Sequence, residues 1–220
     1  MTAANTTTAK DLFIIAMDTG PDHAVGQGDL SLALAGAELI DLLGSGSVTV
    51  DGDRVVPGRA PAPDDRLLRE AAALLTRQPP YEPVEDWLWR RGRELAAAYR
   101  DALAAEGGLT RAGGDRSLFG TRRVEPADTP ARRRATERRA EGEPVLTALG
   151  AAVGIDDGES AGADAGGEGP GEAGGLPPGL GDESVTAVVA AVHDAVMELE
   201  AVRQRRTIEN AAFANVWRGP

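Results

Sequence analysis

Apolar positions recur along this chain with a helical period in most places and with a strand period in two. Residues 9–18 hold Leu12, Phe13, Ile14, Ile15 and Met17 between acids and stop at Thr19-Gly20-Pro21, which predicts a short buried helix. Asp29 is the expected N-cap of a second helix with Leu30, Leu34, Leu39, Ile40 and Leu43 inward, Glu38 and Asp41 outward, and an end at Gly44 and Gly46. Val48-Thr49-Val50, Asp51-Gly52 and Val55-Val56 before Pro57 spell a β-hairpin, because Asp-Gly readily takes the positive φ angles of a tight turn. Pro63-Asp64-Asp65 opens a third helix with Leu67, Leu68, Ala71, Leu74 and Leu75 on one face, ending near Pro79-Pro80. Val84 to Glu106 reads as one long helix that buries Leu88, Leu95, Tyr99 and Leu103 and leaves its arginines on the other faces.

Gly107-Gly108 end that helix, and residues 109–124 predict a second, looser hairpin with a Gly-rich tip. Thr129 to Glu141 is a very polar helix whose arginines (Arg132, Arg133, Arg134, Arg138, Arg139) read as a solvated face, followed by a short Ala/Leu helix over 145–153. From 156 to 181 the pattern dissolves into Gly, Ala, Asp and Glu, too little apolar surface to offset the entropy of ordering, so this is the expected disordered insert. Asp182 and Ser184 then cap a helix striped by Val185, Val188, Val189, Val192, Val196, Leu199 and Val202. The expected organisation is a disordered 1–9, a helical domain over 10–155, the insert, the domain's final helix over 182–206, and a tail over 207–220.

Composition narrows the chemistry. There is no cysteine, which removes disulfides, thiolate metal sites and Cys nucleophiles. A single lysine, Lys10, preceded by Ala9, leaves no Gly-rich phosphate loop, and Gly44-Ser45-Gly46 lacks the third glycine of a dinucleotide fingerprint. His23 and His193 have no metal-ligand spacing, and no Gly-x-Ser-x-Gly elbow occurs, so the chain reads as a non-enzyme without cofactors. The apolar run Leu12–Met17 is too short for a signal core or a membrane span, which points to the cytoplasm. The bias to Arg, Ala and Gly is what a GC-rich bacterial genome imposes.

The net charge of −12 repels polyanions and argues against nucleic acid as a partner, but the charge is unevenly spread. Residues 156–183 carry eight acids and no base, whereas 87–139 carry thirteen arginines against seven acids. Arg90, Arg91 and Arg93 beside Trp87 and Trp89 suit an interfacial patch, since indole sits well at headgroup depth and Arg pairs with phosphate, while the alternative is a core Trp with solvated arginines. In the second hairpin Arg116, Leu118, Phe119, Arg122 and Arg123 interleave apolar and basic groups as a membrane-touching loop would.

Taken in order, the segment Asp11–Asp18, the run Leu32–Leu43, the hairpin over 48–56, Pro63–Arg69 and Val84-Glu85-Asp86-Trp87 resemble the opening of Golgi phosphoprotein 3 family proteins. Leu103 to Leu109 with Leu118-Phe119-Gly120 is similar to that family's step from helix to hairpin. The resemblance implies a mainly α, compact single-domain helical bundle with two small β-hairpins. It also implies a peripheral membrane protein that binds phosphatidylinositol 4-phosphate, recruits protein clients by their tails, and uses the second hairpin in membrane contact and self-association. The family's headgroup pocket falls on Gly26, Ala35, Arg93 and Ala96, of which Arg93 keeps the family's side chain, and Arg90, Arg91, Arg93 and Arg100 are the expected contacts to a lipid phosphate. The alternative is a cytosolic helical adaptor that binds proteins without lipid.

Overall fold

The computed structural model describes residues 7–19, 25–111, 124–155 and 180–216. Among them the elements run α1 (Thr8–Asp18), α2 (Gln27–Gly44), β1 (Val48–Asp51), β2 (Arg54–Pro57), α3 (Arg66–Ala73), α4 (Val84–Arg91), α5 (Leu95–Ala105), β3 (Leu109–Arg111), β4 (Val124–Pro126), α6 (Pro130–Ala140), α7 (Pro144–Ala152) and α8 (Glu183–Val216). The chain is mainly helical, with two separate antiparallel pairs, β1–β2 and β3–β4. The expected insert lies almost wholly outside the described residues, as do the tip of the second hairpin and His23.

α2 is the centre of the molecule. It is apolar nearly all round, which a helix can be only when neighbours cover every side. Here α1, α3, α4, α5, α7 and α8 all pack on it. Ala33, Ala35, Gly36 and Ala37 let these neighbours approach closely, and a Cβ added at Gly36 would run into Val192 of α8. Its inward polar side chains serve the neighbours. Asp41 accepts the Thr8 and Ala9 N–H groups at 2.9 and 3.1 Å, completing the N-terminus of α1 beside the Thr7 cap. Ser31 Oγ accepts the Ala96 N–H of α5 at 3.1 Å. Burial pushes the Asp41 carboxyl up to about 6, even though both N–H donors favour its charged form.

The sequence placed Glu38 and Asp41 outward, and both face neighbouring helices instead; Glu38 is fully buried. Asp29 is not the N-cap. The cap is Gly26, and the Asp29 carboxylate takes both of its bonds, at 2.7 and 2.8 Å, from Arg203 of α8. α3 opens where Pro63-Asp64-Asp65 predicts it, with Asp65 as its cap, but ends at Ala73 rather than near Pro79-Pro80, leaving Leu74 exposed.

Residues 84–106 are not one helix. α4 ends at Arg91 and α5 begins at Leu95, with Glu94 in the left-handed region at φ +56°. Gly92 is buried in this corner, where a Cβ would stand 2.6 Å from the Leu88 carbonyl oxygen and 3.2 Å from that of Ser31. Close contact with α2 thus fixes a corner that the helical periodicity of the segment hides. The first hairpin forms in the register Asp51↔Arg54, with Gly52 at φ +60°. It is fastened to the start of α4 by Val55 N–H to Glu82 and Val84 N–H to Asp53.

α6 has no apolar stripe and buries only Ala135. It docks on α1 through charge: the fully buried Asp11 receives Arg134 at 2.8 Å and Arg138 at 2.7 Å, and Asp18 receives Arg132 at 2.8 Å. These three arginines are therefore bracing groups rather than a solvated face. α8 lays Val188, Val189, Val192 and Ala195 on the core and continues as helix to Val216, past the expected end at 206.

Candidate functional site

The four arginines expected to meet phosphate do not form one patch. Arg91 makes a two-bond fork onto Glu38 at 2.6 and 2.8 Å, and Tyr99 donates to the same carboxylate at 3.1 Å. Burial holds the Tyr99 hydroxyl well above its usual range, so it stays a donor. Arg90 makes a similar fork onto Glu82 at 2.7 and 2.6 Å, donates to the Leu74 carbonyl and lies over the Trp87 ring. Trp87 is wholly buried, with Nε1 directed at the Ala35 carbonyl, which identifies it as a core residue and not an interfacial anchor. Arg93 and Arg100 are exposed and have no ion-pair partner among the described residues.

Of these two, Arg93 sits in a built setting. The corner between α4 and α5 carries Trp89, Gly92, Arg93 and Glu94 against Gln27, Gly28 and Ser31 in the first turns of α2, and Leu199 of α8 closes the far side. The space between them measures about 530 Å³. No side chain caps the N-terminus of α2 by a hydrogen bond, and the acid of its first turn, Asp29, is held by Arg203. Arg203 lies over the same turn: a Cβ on Gly28 would be 2.9 Å from its Nη2, which has no hydrogen-bond partner among the described residues. Sequence reasoning missed Arg203, whose only signal is its place one turn after Leu199 on the apolar stripe of α8. Chemically, the groove offers an anion the Arg93 guanidinium beside the first turn of α2, with Trp89 half-buried and Glu94 alongside, while Arg203 stands over Gly28 paired with Asp29 and Glu200.

The hairpin residues Arg116, Leu118, Phe119, Arg122 and Arg123 lie outside the described residues. A second cavity of about 300 Å³, between α1, α3 and α5, contains charges already paired or capping: Lys10 bonds Glu106, and Asp65 caps α3. Among the described residues there is no group of three or more metal-ligating side chains, and no helix is long and apolar enough to cross a membrane. A family model described as Golgi phosphoprotein 3 (GPP34) matches residues 9–214. No curated protein matches the chain.

Proposed function

Because the chain belongs to the Golgi phosphoprotein 3 family, we propose that it is a non-enzymatic protein that attaches reversibly to anionic phospholipid headgroups, with the headgroup phosphate in the groove between α2 and the α4–α5 corner. One observation carries this reading: Arg93, which has no ion-pair partner among the described residues, shares this groove with the first turn of α2, and the Nη2 of Arg203 stands over that turn at Gly28. Backbone N–H groups at a helix start suit a phosphate oxygen, and guanidiniums supply paired donors at fixed angles. Phosphatidylinositol 4-phosphate is the headgroup to try first. The positions that resemblance assigns to its pocket are Gly26, Ala35 and Ala96 besides Arg93, so Arg203 and the α2 backbone take over the recognition.

The test is vesicle co-sedimentation with neutral lipid, phosphatidylinositol, phosphatidylinositol 4-phosphate and cardiolipin, at low and high salt. Arg90 and Arg91 are left intact because both brace the fold. Each basic residue near an anionic surface contributes about 1 kcal/mol, so Arg93→Glu should weaken binding by roughly tenfold or more, whereas Arg100→Glu, outside the groove, should change it little. Equal loss in both variants would mean diffuse attraction without a site. No pelleting with any anionic vesicle would sink the lipid reading and leave the protein-binding adaptor.

A further inference from the structure

Among the described residues, nothing packs against the end of α8. The helix is about 50 Å long at 1.5 Å per residue, and from Gln204 to Asn210 every side chain is exposed, with Ile208 at 68%. Helices in water owe most of their stability to a packed face, and this stretch has none among the described residues. Nearer its start, the same helix borders a groove of about 360 Å³ whose floor is Val84, Ala187, Ala191 and Ala195. The rim is acidic: Asp53, Glu85, Asp194 and Glu198, of which only Asp53 has an ion-pair partner among the described residues, Arg54. Beyond the groove the helix turns basic at Arg205 and Arg206, and neither has an ion-pair partner among the described residues.

Apolar hole and acid rim therefore lie at one end of α8, apolar knob and basic pair at the other. Positions 187, 191, 194, 198, 201, 205 and 208, spaced alternately four and three apart, share one face of α8, with Ala187, Ala191, Ala201 and Ile208 apolar and Asp194, Glu198 and Arg205 charged. We infer that α8 pairs antiparallel with α8 of a second copy of this chain. In a single register Ile208 of each copy enters the alanine-floored groove at Ala191 of the other, Asp194 meets Arg205, and Glu198 meets Ala201. The surface is self-complementary, so one two-fold axis closes the pair and leaves no open end.

Sedimentation velocity of the full chain across a concentration series, without lipid, tests this independently of the headgroup reading. The wild type should dimerise, and Ile208→Asp, at an exposed position that leaves the core intact, should weaken the dimer by tenfold or more. Arg205→Glu and Asp194→Arg should each weaken it as well, and the double variant Asp194→Arg/Arg205→Glu should recover it, because the swap restores both copies of the contact. A wild type that stays monomeric at its highest soluble concentration overturns the proposal and leaves the groove to a basic segment of another protein. So does a dimer that survives Ile208→Asp but is lost with Leu118→Asp/Phe119→Asp.

Discussion

At the scale of single residues, the structure separates arginines that hold the fold from arginines that are free to bind. Arg91 is a bracing group: its side chain is 10% exposed and its partner Glu38 is 0% exposed. Removing one member of such a pair strands the other in a medium that solvates it poorly, at about 3–5 kcal/mol. Glu38→Ala should therefore lower the stability measured by urea unfolding by that amount, and Glu38→Leu/Arg91→Met should return most of it by replacing the pair with apolar packing. If the double variant is as unstable as the single one, the Tyr99 contact or cavity formation carries the cost instead. Arg93, by contrast, has no ion pair or hydrogen bond to lose among the described residues, so its replacement should leave the unfolding midpoint unchanged.

At the scale of elements, the α4–α5 corner is held in a conformation its sequence does not favour. Glu94 occupies the left-handed region, which costs a residue with a Cβ roughly 1 kcal/mol relative to glycine. Glu94→Gly should thus stabilise the protein by about that much in thermal or urea unfolding, and a destabilised variant would mean that the Glu94 side chain supports the corner in some other way. What could be read from sequence follows the same division. The first hairpin, the starts of α3 and α6 and the valine stripe of α8 were legible because their signals are local. The corner at Gly92, the inward turn of Glu38 and the grip of Arg203 on Asp29 were not. Their causes lie 53 and 174 residues away for the two ion pairs, and no local periodicity carries such information. The mixed faces of α6 looked solvated for the same reason: the acids that bind them belong to α1.

At the scale of the whole molecule, charge and burial act together on how stability depends on pH. The folded state raises Asp41 from 3.8 to about 6, so it holds this proton more tightly than the unfolded chain does. That contribution is fully present below about pH 4 and is lost as pH rises through 6, by up to about 3 kcal/mol. The stability of the wild type relative to Asp41→Asn, followed by urea unfolding, should accordingly fall between pH 4 and 6; a flat or rising difference would mean that the two N–H donors outweigh burial. The same central helix has a consequence in time. α2 emerges from the ribosome well before α8, yet α8 covers one of its faces at Gly36. Contacts between distant parts of a chain form slowly. Until α8 arrives, a nascent chain would carry an open apolar trough along α2, so the interval between the synthesis of these two helices is when the protein is most exposed to chaperones and to aggregation.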